Sequence, residues 1–109
     1  MQTIVYNSTI KVRWEILEGW LAWQLEVQIP AVLGTSLFDD HRFYRLLEQE
    51  EEEGPTFVVQ YFTSSLERYQ RFMIEFAPAL QQEGWDKWGD GFIAFRTLMS
   101  SVETGFEKI

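Results

Sequence analysis

Apolar and polar residues alternate strictly at the start of the chain. Ile4, Tyr6, Ser8, Ile10 and Val12 fall on one side, and Val5, Asn7, Thr9 and Lys11 on the other. A period of two, rich in β-branched residues, predicts a strand with one buried face. From Trp14 to Gln28 the period lengthens to that of a helix: Ile16, Trp20, Trp23 and Val27 share a stripe, with Leu17, Leu21 and Leu25 on an adjacent one. That apolar arc is wider than one sheet contact requires, which predicts a second neighbour. Pro30 ends or kinks this helix, and Ala31-Val32-Leu33 followed by Gly34 reads as one further turn with a glycine cap.

A second strand is predicted over His41–Glu50 and a third over Thr56–Thr63, joined through the charged segment that closes on Gly54-Pro55, so the two form an antiparallel hairpin. Ser64 and Glu67 have the spacing of a capping box. The helix they open carries Leu66, Tyr69, Met73, Phe76, Ala77 and Leu80 on one stripe and is kinked at Pro78. Trp85–Gly91 reads as a loop, Phe92–Met99 as a last strand, and Ser100–Ile109 as a short polar tail.

The order β-α-β-β-α-β is that of the split-βαβ, ferredoxin-like fold: an α+β domain, a four-stranded antiparallel sheet with two helices on one face. The other face is then uncovered. It is expected to carry Val5, Asn7 and Thr9, then Val58, Gln60 and Phe62, and, with Ile93, Phe95 and Thr97 turned to the helices, Phe92, Ala94, Arg96 and Leu98. Half of that surface is apolar, which calls for a two-fold partner and a dimeric, barrel-like assembly.

Composition narrows the function without naming it. A length of 109 residues suits one domain, placed at residues 1–99 with 100–109 as the tail. Nine basic against 17 acidic residues, net −8, argue against nucleic acid and against an anionic membrane surface. No apolar run is long enough to span a bilayer, and no leader is recognisable after Met1, so a cytoplasmic setting is expected. With no cysteine, disulfides and thiolate chemistry are excluded. Aromatics are unusually dense, at 17% with five Trp. So many rings are hard to fit inside a small core, and some are expected at the surface, on an association face or in a cleft.

Candidate chemistry is sparse. The acidic block Glu48, Glu50, Glu51, Glu52 and Glu53 lacks the alternating spacing of a calcium loop and reads as a solvated tip. His41, the single histidine, cannot build a multi-histidine metal site; it is a weak candidate for a base or haem ligand, and a loop or strand-end histidine otherwise. Trp23, with Trp20 three residues before it, reads as core first and as a cofactor contact second. No metal site and no cofactor are expected. The strongest constellation is Asn7, Gln60 and Arg96, each mid-strand among apolar neighbours. Either they bond one another or the partner subunit and set the interface, or they form a pocket in which Arg96 holds a small anionic ligand and the two amides orient it.

Five strings carry a resemblance: Val5-Tyr6-Asn7-Ser8-Thr9-Ile10, Ile29-Pro30-Ala31-Val32-Leu33, Val59-Gln60-Tyr61, Ala77-Pro78-Ala79-Leu80 and Phe92-Ile93-Ala94-Phe95-Arg96-Thr97-Leu98. Together they resemble a bacterial family of short proteins known as domain of unknown function 4286, with the closing F-R-T-L the most specific piece. In that pattern a histidine often precedes the Ile-Pro pair; Gln28 stands there in this chain. The architecture is similar, more loosely, to the dimeric α+β barrel group, which includes antibiotic-biosynthesis-type monooxygenases and haem degraders. The haem degraders use an Asn, a Trp and a helix-borne His. Asn7 suits the first, but the second helix, read over Ser64–Glu83, offers neither His nor Trp. Two functional classes follow: a homodimeric small-molecule-binding or oligomerisation module, or a cofactor-independent enzyme of the barrel type.

Overall fold

The alternation at the start of the chain becomes β1 (Ile4–Val12), with Ile4, Tyr6, Ser8, Ile10 and Val12 buried and the residues between them half-buried. A computed structural model describes residues 2–103. Among them β1 is followed by α1 (Leu17–Trp23), α2 (Ile29–Leu33), β2 (Asp40–Arg45), β3 (Thr56–Thr63), α3 (Leu66–Glu75), α4 (Ala77–Trp88) and β4 (Phe92–Ser100). The strands form one antiparallel sheet in the order β2-β3-β1-β4, and the core lies between it and the helices. This is the expected α+β, ferredoxin-like architecture.

The first helical run changes pitch twice. A 3-10 turn over Trp14–Ile16 leads into α1, and a π-helical turn over Gln24–Gln28 joins α1 to α2. The Ile29 N–H reaches back five residues to the Gln24 carbonyl. Pro30 accounts for the widening: it has no N–H to donate, and its ring would press on the carbonyl four residues earlier. Gly34 closes the run, donating to the Pro30 carbonyl at 2.8 Å.

The second run differs from its sequence reading in two places. Its cap is Ser65, whose hydroxyl accepts from the Arg68 N–H at 3.2 Å, because the backbone is extended there and α3 starts at Leu66. After the break at Phe76, with Pro78 in the first turn, α4 continues through the expected loop as far as Trp88. Gly84 does not stop it. That residue is buried, and a Cβ there would lie 3.5 Å from the Trp23 ring, so its role is close helix packing. The stop is Gly89, at φ 54°.

At the sheet ends, β2 is shorter than expected and ceases at Arg45. The acidic tip is tied back to the sheet by Lys11–Glu50 at 3.2 Å and Arg45–Glu51 at 2.9 Å. Gly54 passes so near β1 that a Cβ would sit 1.7 Å from the Val12 carbonyl oxygen. β4 takes in Ser100, and Ser101 donates to Thr3 at 2.8 Å, so the expected tail begins as sheet; residues 104–109 lie outside the described residues.

Burial sorts the aromatics as the composition anticipates. Tyr6, Phe38, Tyr61 and Phe72 form one cluster, the closest pair being Phe38 and Phe72 at 5.0 Å between centroids. Trp14, Tyr44, Trp85 and Phe95 stay exposed.

Candidate functional site

The sheet is polar at its centre on both faces, and the two sets of polar groups behave differently. Asn7 and Gln60 are cross-strand partners on the open face. The Gln60 amide donates to the Asn7 carbonyl oxygen at 3.2 Å, and the Asn7 amide donates to Thr9 at 3.4 Å. Around them lie Val5, Val58 and Phe62, half-buried, and Ile93 and Phe95, exposed.

Arg96 is not with them. In the β1–β4 register it pairs with Ser8, while Asn7 pairs with Thr97. Phe92, Ala94, Arg96 and Leu98 therefore share the helix side with Tyr6, Ser8, Ile10 and Val12, and Ile93, Phe95, Thr97 and Met99 occupy the open face. This corrects the expected orientation of β4 and separates Arg96 from the two amides. The cause is visible in the strand. Each alternating set holds three apolar residues and one polar one, so period alone does not choose between them, and pairing with β1 does.

On the helix side, Arg96 borders a cavity of about 80 Å³. Its floor comes from the sheet: Tyr6, Ser8, Ile10, Val59, Tyr61, Phe92, Ala94 and Arg96. One wall is the first helical run, through Trp20, Trp23, Gln24, Gln28 and Val32. The other is Phe72, Ala77, Leu80, Gln81 and Gly84. The wall spacing is helical: Trp20, Gln24 and Gln28 recur every four residues, so the π turn lies along the cavity. Gln24 and Ser8 are 3% and 7% exposed, and Arg96 stands at the open edge strand.

The electrostatics are one-sided. The lining holds one guanidinium and no carboxylate, although acidic residues outnumber basic ones 17 to 9 in the chain. Burial raises the Tyr6 hydroxyl above the usual phenol range, and the neighbouring Arg96 guanidinium pulls it partly back. Tyr61 is raised further, by burial and then by Tyr6, and its buried hydroxyl has no partner among the described residues. Both phenols are therefore neutral hydrogen-bond donors at physiological pH.

The weaker candidates divide. Trp23 lines the cavity and meets Trp88 edge to face at 6.1 Å. His41 lies on edge strand β2, its ring 6.5 Å from that of Tyr61, and does not line the cavity. Tyr6, Ser8, Gln24 and Tyr61 are not singled out by the sequence, and Gln28 is marked there only as standing where the resembled family often has a histidine. Ser8 interrupts the buried side of β1, and Gln24 and Gln28 interrupt an apolar helix face four residues apart, which is the signal that marks them.

A family model described as Domain of unknown function (DUF4286) matches residues 3–102. The chain belongs to this family. No curated protein matches it by sequence. Among solved structures it is similar to SnoaB, a cofactor-independent oxygenase from Streptomyces nogalater, with 10% identity, a TM-score of 0.66 and coverage of 94% of this chain and 95% of that one. It is also similar to a dimeric ferredoxin-like protein of unknown function from Jannaschia, with 11% identity, a TM-score of 0.57 and coverage of 87% and 97%. The heme-degrader MhuD from Mycobacterium tuberculosis matches at 18% identity and a TM-score of 0.64, over 93% and 97%. At such identities the likeness is one of fold, and the fold is that of the ferredoxin-like dimeric α+β barrel proteins.

Haem itself does not fit the residues in place. α4 does bring Trp88 into the second helical run, against the sequence reading, but the chain's single histidine is outside the cavity. The phenols that line it are kept protonated. Among the described residues no cluster of three or more His, Cys, Asp or Glu could hold a metal ion, and no helix is long and apolar enough to cross a membrane.

Proposed function

We propose that this DUF4286 chain is a homodimeric module that binds a small anionic molecule in the cavity between sheet and helices. The observation that carries the reading is a lone guanidinium, Arg96, in a carboxylate-free lining of an acidic chain. A guanidinium with no carboxylate beside it is the group best suited to capture an anion, and the aromatic walls suit a flat apolar body behind the charge. The second copy covers the open face, where Ile93 and Phe95 are 55% and 64% exposed beside half-buried Val5, Val58 and Phe62. A cytoplasmic setting is part of the same proposal. Titration calorimetry with benzoate tests the binding reading. Wild type should bind, and Arg96→Met should weaken binding by at least ~10-fold, the scale of one charge-assisted hydrogen bond. Equal affinity in both proteins, or wild type binding neither benzoate nor 4-hydroxybenzoate, contradicts it.

One arrangement also favours a cofactor-independent enzyme. The Tyr6 hydroxyl and the Arg96 guanidinium lie together, a proton donor and a cation able to stabilise an anion developing on a bound ring. The fold shared with a cofactor-independent oxygenase supports the same reading. Oxygen uptake with 2,5-dihydroxybenzoate should then exceed the buffer rate and fall to it in Arg96→Met; uptake that survives the substitution removes this alternative.

A further inference from the structure

Gln24, on the helical wall, is with Tyr61 on the sheet floor a buried polar side chain of this cavity that the fold leaves unused. It is 3% exposed, it lines the cavity, and its side chain makes no hydrogen bond to any described residue. A buried amide is ordinarily satisfied by backbone or a neighbouring side chain, and one left open toward a cavity is completed by whatever enters. Its position is fixed by the backbone. The Gln24 carbonyl accepts from Ile29 in the π-helical turn, and such turns recur at functional sites.

We infer that Gln24 determines which anions the cavity accepts, selecting small aromatic acids that carry a second, neutral oxygen at the end away from the carboxylate. The inference rests on the binding reading above and extends it. Arg96 rises from the sheet at the open edge, and Gln24 projects from the helical wall. The lining they share includes Trp20, Trp23, Phe72 and Leu80, the surroundings of a flat ring. The enclosed space of about 80 Å³ takes one end of such a molecule, so the charged end stays at the exposed Arg96. An amide both donates and accepts, so a ring hydroxyl or carbonyl satisfies it and a bare ring edge does not. Sites built around a buried hydrogen-bonding group reject the analogue that lacks the matching oxygen.

The test compares 4-hydroxybenzoate with benzoate on wild type, Gln24→Met and Arg96→Met. Wild type should bind 4-hydroxybenzoate at least ~10-fold tighter than benzoate, the discrimination of one matched hydrogen bond. Gln24→Met should bring the two acids within about twofold of each other, and Arg96→Met should weaken both alike. If wild type binds both acids equally, or Gln24→Met keeps the preference, the role of Gln24 is wrong while the anion-binding reading stands. If wild type binds neither acid, that reading falls and this one with it. Should Gln24→Met fail to fold, wild-type NMR decides. The Gln24 side-chain amide signals should move with 4-hydroxybenzoate and stay still with benzoate, and an amide that ignores both overturns the inference.

Discussion

The two faces of the sheet carry similar residues to different ends. On the open face Asn7 and Gln60 bond each other among Val5, Val58 and Phe62, so their polarity is consumed within the sheet. On the covered face Ser8, Gln24, Tyr61 and Arg96 surround a cavity, and among the described residues neither the Gln24 amide nor the Tyr61 hydroxyl has a side-chain hydrogen-bond partner. A polar group among apolar neighbours therefore says little by its position. Whether its hydrogen-bonding capacity is already used separates a sheet-pairing device from a binding site. In the proposed function the open face is the interface and the covered face takes the ligand.

The sharpest break between the faces is expected in stability. Phe72→Ala removes a ring that packs against Phe38 and Tyr6 beneath the cavity, and should cost ~3–5 kcal/mol in urea denaturation. Phe95→Glu, on the open face, should leave the folded monomer within about 0.5 kcal/mol while abolishing association. Sedimentation should then give twice 13.0 kDa for wild type and 13.0 kDa for the variant. A wild-type monomer at micromolar concentration removes the partner from the open face.

Alkaline pH, read as the difference between wild type and Tyr61→Phe, probes the covered face. Tyr6 and Tyr61 titrate above their unfolded value of 10.0, so their contribution is complete below pH 10 and declines as pH rises through the folded values. Unfolding free energies measured from pH 9 to 11.5 should fall by at most roughly 1.4 kcal/mol per pH unit for each phenol. Tyr61→Phe should flatten that limb; an unchanged slope would show the phenol is not held neutral by burial. The smallest effect belongs to the open face. Asn7→Ala leaves the Gln60 amide without its acceptor and should cost ~1 kcal/mol, read from the same urea curves.

Much of the architecture was readable because each element depends on local pattern: the alternation in β1, the glycine-proline hairpin, and the two proline breaks. The misplaced features depend on tertiary contact. Ser65 caps in place of Ser64 because β3 extends through Thr63, and α4 outruns its apparent glycine stop because Gly84 packs on Trp23. Arg96 was recognised as an unusual charge, yet its face could not be read from a strand that is amphipathic both ways. Asn7 and Gln60 were placed on the correct face and together. The cavity escaped notice because its floor and walls come from β1, β3, β4 and both helical runs, and no local motif spans them.

The central claim is that an anion binds on the covered face, at Arg96. A crystal structure of the protein soaked with 4-bromobenzoate tests it most directly, since anomalous scattering from bromine fixes the orientation of the ring. The carboxylate should lie on the Arg96 guanidinium and the ring between Trp23 and the sheet. Bromine signal on the open face beside Asn7 and Gln60, or at no site on the protein, would contradict it.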